Sequence, residues 1–225
     1  MTPLLLPTQV PTRLHALLDT ELLCSELSRR SKPASGKHNA EQLRTVGRPA
    51  YLSQDNGKEY ERNALAANAG QWRRFEALYA DVFGVLARFL GEVVLVSGRA
   101  AIPGFHIIRN SADFPRYEGG VPHVDSSYLH VPAFVGEPLG HDQYSFTLLL
   151  SSENEQVGLE YWAPGTAEAD AALQAPLAFV PYCSGNLVIF DSRLVHRIAP
   201  FSGELERVTL QGHIVRLEGR LVAFW

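Results

Sequence analysis

The chain has 225 residues, 46% of them hydrophobic, which is enough to bury the core of one domain. With 20 basic and 24 acidic residues, for a formal net charge of -4, it lacks the basic surplus of a nucleic-acid binder, and no run of Lys and Arg suits an anionic membrane. Cys24 and Cys183 are too few for a disulfide framework or a Cys-rich zinc site, and no apolar stretch reaches the about 18 residues a membrane span needs, so the composition predicts a soluble, cytoplasmic protein.

In chain order, the opening MTPLLLPTQV has no basic lead and is broken by Pro3 and Pro7, so it does not read as a signal peptide. From Arg13 to Arg30, Leu14, Leu17, Leu18, Leu22 and Leu27 recur at helical spacing and predict a helix. Ser31–Lys58 is polar and rich in Gly, Ser and Asn, which predicts a loop of a length often used for lids or binding segments. Glu59–Leu90 predicts one long helix, in which Trp72, Phe75, Tyr79, Val82, Phe83, Leu86 and Leu90 form an apolar stripe packed on a sheet.

After Gly91 the pattern changes to short apolar runs divided by turn residues: Val93–Val96, Phe105–Ile108, Ser145–Leu150, Leu187–Phe190, Arg207–Val215 and Leu221–Phe224. Ser184-Gly185-Asn186 predicts a tight turn into a strand, and Glu218-Gly219-Arg220 a turn in a last hairpin. The expected architecture is mainly β with supporting helices. A jelly-roll core fills 92–225, helical support and loop fill 1–91, and the whole of 1–225 forms a single domain.

The chemistry gathers on three short segments. On a strand, residues i and i+2 face the same way, so His123 and Asp125 in Pro122-His123-Val124-Asp125 can reach one ion together. Alone, a His-x-acid pattern is expected about once by chance in a chain of this composition. Downstream, Gly185–His196 reads as a turn, a buried strand and then a histidine. Two His and one carboxylate make a facial triad that leaves three positions of an octahedral iron open, enough for a bidentate 2-oxo acid and O2. The far carboxylate of such an acid calls for an Arg, whose planar fork matches it. Arg207 opens the segment Arg207-Val208-Thr209-Leu210-Gln211-Gly212-His213, in which alternation puts Arg207, Thr209, Gln211 and His213 on one face. A polar inner face in a barrel is costly unless it binds something.

In His123-Val124-Asp125, Gly185–His196 with Pro200, and Arg207-Val208-Thr209, the chain resembles the iron(II)/2-oxoglutarate-dependent dioxygenases of the double-stranded β-helix fold. The resemblance spans about Phe105–Trp225. It implies Fe(II) held by His123, Asp125 and His196, with 2-oxoglutarate as cosubstrate and O2 as oxidant. It also implies that Arg207 holds the C5 carboxylate with help from Thr209, and that Thr147 offers a further hydroxyl. The reaction implied is oxidation of a C–H bond by hydroxylation, desaturation or ring formation, with release of succinate and CO2. Halogenating relatives carry a small residue where Asp125 stands, so the carboxylate argues against halogenation.

A small-molecule substrate is expected, an amino acid or a natural-product intermediate, with no nucleic-acid or membrane partner. His106 and Arg109, ahead of the metal motif, and Tyr128 and Trp162, near it, are the candidates for substrate contact. His130, His141 and His213 read as structural, and His15 and His38 as solvated. Two other functions compete: a facial-triad oxidase that needs no 2-oxo acid and hence no Arg207, and a cupin-like metal protein that is not an oxygenase. Cupin sites typically use three His and a Glu, whereas one His precedes the acid here.

Overall fold

The computed structural model describes residues 6–9, 32–33, 42–53, 57–111, 114–151, 156–203 and 206–225. The helix expected over 13–30 lies outside them. The elements run β1 (Leu6–Gln9), β2 (Lys32–Pro33), β3 (Leu43–Val46), α1 (Gly57–Arg74), α2 (Glu76–Leu90), β4 (Val94–Val96), β5 (Gly104–Arg109) and β6 (Arg116–Tyr117). They continue with β7 (Gln143–Ser151), β8 (Gly158–Tyr161), α3 (Glu168–Ala171), β9 (Ala178–Pro181), β10 (Asn186–Asp191), β11 (His196–Ile198), β12 (Phe201–Ser202), β13 (Glu206–Leu217) and β14 (Arg220–Phe224). Among the described residues no helix is long and apolar enough to cross a membrane.

The strands form a jelly roll. A nine-stranded sheet runs β1-β10-β7-β13-β5-β3-β2, with β14 pairing both β13 and β4. Facing it, β11-β8-β9 makes a three-stranded sheet, and β6 pairs β12. The long β13 organises the large sheet: one edge pairs β7, and the other pairs β5 and then β14. Glu218 and Gly219 both have positive φ, 48° and 76°, as a tight β13–β14 hairpin turn requires.

Period-two alternation gives the large sheet two unlike faces. Phe105, Ile107, Phe146, Leu148, Leu187, Ile189, Val208 and Leu210 point outward and pack with Leu78, Tyr79, Val82 and Leu86 of α2. Ile108, Leu149, Val188 and Phe190 point inward and pack with Leu159 and Tyr182.

Three expectations are corrected. The stripe over Glu59–Leu90 is two helices, broken at Phe75, whose φ and ψ are -114° and 25°. Phe75 is buried against Phe105, with ring centroids 4.8 Å apart. The segment expected as a loop over Ser31–Lys58 contributes β3, which extends the sheet beside β5, and a 3-10 turn over Ala50–Ser53. The expected strands of the second half all appear, but His196 does not close the buried strand: β10 ends at Asp191, and His196 opens β11 in the other sheet.

Trp225 is fully buried, its backbone N–H donating to Ala101 O (2.9 Å) and its carbonyl accepting from the Tyr60 hydroxyl (2.8 Å). A Cβ on Gly104 would sit 1.9 Å from Cζ3 of this ring, so only glycine lets β5 pass over it. Gly104→Ala is therefore expected to cost about 3 kcal/mol of unfolding free energy, the upper end for overpacking. Urea denaturation measures this, and an unchanged midpoint would show that the indole can retreat.

Candidate metal and cosubstrate site

The backbone joins the two histidines before any ligand is considered. His123 N–H donates to His196 O (3.0 Å) and His196 N–H to His123 O (2.9 Å), an antiparallel bridge outside the regular strands. Asp125 N–H donates to Ser192 O (2.8 Å) in the turn between β10 and β11. Val124 N–H donates to Glu168 Oε1 (2.8 Å) at the start of α3. The His-x-Asp segment is thus pinned at three successive residues.

The side chains are then preset for a cation. His123 Nδ1 lies 2.7 Å from Val121 O, and His196 Nδ1 lies 2.9 Å from Leu194 O. A carbonyl only accepts, so both Nδ1 atoms carry the proton and both Nε2 lone pairs are left for a ligand. His123 Nε2 is 3.5 Å from Asp125 Oδ1, and His196 Nε2 is 3.4 Å from Asp125 Oδ2. One ligand atom from each residue lies within 4.8 Å of the others. Two imidazoles and one carboxylate converging from one side suit a divalent first-row ion with open positions.

Asp125 is held from behind. Ser145 Oγ donates to its Oδ2 (2.5 Å). A hydroxyl has one proton, so Ser192 Oγ (2.9 Å) and His213 Nδ1 (3.1 Å) must donate to Ser145. Burial alone would push the Asp125 carboxyl up, but the imidazoles around it, His196 and His213 first and then His123, hold the group well below the carboxylate range. Burial pushes His213 below the ordinary imidazole value, against the pull of Asp125. Asp125 is therefore ionised, as a ligand must be.

The three groups face a cavity of about 660 Å³ between the two sheets. Arg207, 1% exposed, also lines it. Among the described residues none of its three guanidinium nitrogens has a hydrogen-bond partner, nor has the buried Thr209 Oγ1. The Tyr182 ring lies 5.4 Å from the guanidinium carbon and supplies a cation–π contact. Burial lowers the Arg207 pKa, yet an arginine stays charged. An unpaired buried cation costs several kcal/mol, so this pocket is built for an anion.

The structure brings His123, Asp125 and His196 together and puts Thr147, Arg207 and His106 on the same cavity wall. Thr147 hydrogen-bonds to Tyr182. Arg109 is not there: His106 and Ile108 point inward, so Arg109 points out, where it is exposed and ion-paired with Glu206. Trp162 is buried with Ala171 and Val195, its indole N–H donating to Gln174 O (3.2 Å), and Tyr128 packs against the cluster around Trp225. Neither lines the cavity. Gln211 and His213, which alternation puts on the inner face with Arg207, do line it, although His213 was expected to be structural; sequence reasoning passed over Ser145, Tyr182, Glu168 and Tyr51, which line it as well. Alternation from Thr147 could have found Ser145. Nothing local marks Tyr51.

No protein-family model matches the chain, and no curated protein matches it. Solved structures do. An N-substituted L-amino acid dioxygenase from Burkholderia ambifaria AMMD is 15% identical with a TM-score of 0.54, covering 99% of this chain and 98% of its own. The non-heme alpha-ketoglutarate-dependent epimerase SnoN of nogalamycin biosynthesis is 13% identical with a TM-score of 0.54, covering 94% and 76%. AviO1 from Streptomyces viridochromogenes Tue57 is 16% identical with a TM-score of 0.50, covering 92% and 86%. At such identities the likeness shows the fold: this chain is a double-stranded β-helix protein of the architecture found in these structures, with a two-histidine, one-aspartate cluster lining its cavity.

Ser145→Ala removes the donor that fixes Asp125. It is expected to weaken binding of Mn(II) or Fe(II) about 10-fold with the fold intact, measured by anaerobic titration. Unchanged affinity would mean that the backbone pins alone orient the carboxylate.

Proposed function

We propose that this chain is an Fe(II)- and 2-oxoglutarate-dependent oxygenase that oxidises a C–H bond of a small molecule. The observation that carries the reading is Arg207: a buried guanidinium with no hydrogen-bond partner among the described residues, opening into the same cavity as a preset His–Asp–His cluster. A metal protein that used no anionic cosubstrate would gain nothing from leaving that charge unpaired.

In this reading His123 Nε2, Asp125 and His196 Nε2 hold the iron, and Arg207 and Thr209 receive the far carboxylate of 2-oxoglutarate. Thr147, through its hydrogen bond with Tyr182, shapes the wall between. Iron and 2-oxoglutarate together supply an O2-dependent oxidation that converts the oxo acid to succinate and CO2 while the substrate C–H bond is oxidised. The chain contributes position and dryness. Leu159, Phe190 and Ile198 line the cavity with apolar surface, which excludes water and strengthens the Arg207–carboxylate attraction. The structural neighbours include a dioxygenase of N-substituted amino acids and an epimerase of nogalamycin biosynthesis, which supports a small-molecule substrate from amino-acid or natural-product chemistry. The presence of Asp125 supports hydroxylation, desaturation or ring formation over halogenation.

The test is succinate release from labelled 2-oxoglutarate by the Fe(II)-loaded protein in air. Slow release without substrate is expected, falling at least about 10-fold in Arg207→Gln at subsaturating 2-oxoglutarate, because a hydrogen-bonded charge contact is lost. Metal binding without any succinate across a metabolite panel would contradict the reading.

A further inference from the structure

The connection between β8 and β9 returns to the metal motif at Glu168. This residue opens α3, and its Oε1 accepts the Val124 N–H (2.8 Å) between His123 and Asp125. The rest of the connection is seated as well. Ala171 is buried with Trp162 and Val195 in a cluster against which the Val124 side chain packs. Just beyond α3, Gln174 O accepts the Trp162 indole N–H (3.2 Å). Glu168 thus projects from a segment anchored at Ala171 and Gln174, with its own carboxylate aimed by the Val124 amide.

Glu168 is exposed and also lines the cavity, so its carboxylate stands at the opening. A carboxylate has about four acceptor sites, and the Val124 N–H uses one of them. A neutral acceptor such as an amide oxygen would serve that N–H too. The full negative charge adds something an amide would not: a field at the opening that draws in a cation and turns away an anion. The neighbouring wall suits a carbon skeleton, since Gly119, Gly120 and Val121, just ahead of His123 in the chain, line the cavity without a polar side chain.

We propose that Glu168 is a specificity-determining residue of this cavity, its carboxylate receiving a cationic nitrogen of the substrate. The substrate class is then an amine-bearing small molecule, held by its ammonium group beside His123 and Asp125. This rests on the oxygenase reading for what is oxidised, and deepens it by naming the group by which the substrate is held.

The experiment uses Mn(II)-loaded protein with 2-oxoglutarate bound, in 0.15 M salt at neutral pH. It follows paramagnetic relaxation of the protons of two probes of one shape, cyclohexylammonium and cyclohexanol. The amine is protonated at this pH and does not ligate the metal, so weak binding near Mn(II) is read without turnover. The ammonium is expected to bind about fivefold more tightly than the alcohol, the upper worth of an ion pair open to solvent. Glu168→Gln keeps an acceptor for the Val124 N–H and removes the charge, so it should bring the two probes to equal affinity. Glu168→Asp, which keeps the charge, should keep part of the preference. Equal or reversed preference in the wild-type protein, no enhancement for either probe, or a preference that survives in Glu168→Gln would overturn the proposal and leave Glu168 as a latch on Val124. Failure of the wild-type chain to bind 2-oxoglutarate would instead count against the oxygenase reading, and the probe preference would still be read on the Mn(II) form.

Discussion

The arrangement depends on alternation along one strand. β13 pairs with β7 on one edge and with β5 and β14 on the other, so its side chains have only two directions to take. Val208 and Leu210 go outward into the helix-backed core, and burying them fixes the register. Arg207, Thr209, Gln211 and His213 are then forced inward. A slip of one residue would put a guanidinium into the apolar layer and two aliphatic chains into the cavity, at a cost of several kcal/mol. The same alternation on β7 turns Ser145 and Thr147 to the cavity and Phe146 and Leu148 to the helices.

Polar groups lined up this way need counterparts, and they find them in graded fashion. At one end His213 and Ser145 are satisfied by one another, by Ser192 and by Asp125. In the middle Gln211 is satisfied by His106. At the other end the Arg207 guanidinium and the Thr209 hydroxyl have no hydrogen-bond partner among the described residues. The wall is thus built tight around the metal ligands and left open where a carboxylate would enter. Rigid support behind a ligand set and unsatisfied donors in front of it are the two halves of a preorganised site.

Much of this was legible in the sequence, because it follows from period. The strands of the second half, the pairing of His123 with Asp125 and the inward face of Arg207 and Thr209 all come from counting residues. Counting also bears on Arg109, since it and His106 are an odd number of residues apart and cannot share a face of one strand. What periodicity does not encode is contact across the chain. Phe75 breaks a regular helical stripe because Phe105 waits beneath it. His196 lies at the start of a strand in the opposite sheet because the turn after Asp191 carries the chain across. Tyr51 comes from a Gly-, Ser- and Asn-rich segment with no pattern, and reaches the cavity because Gly47 and Gly104 let backbone rest on Trp225.

The central claim is that the unpaired charge of Arg207 exists to receive the far carboxylate of a 2-oxo acid chelated at His123, Asp125 and His196. Comparing 2-oxoglutarate with 2-oxopentanoate, which has the same chain length and no second carboxylate, isolates that contact. Anaerobic calorimetric titration of the Mn(II)-loaded protein should show 2-oxoglutarate binding at least about 10-fold more tightly, with the difference abolished in Arg207→Met. Equal affinity of the wild-type protein for the two acids would contradict the account.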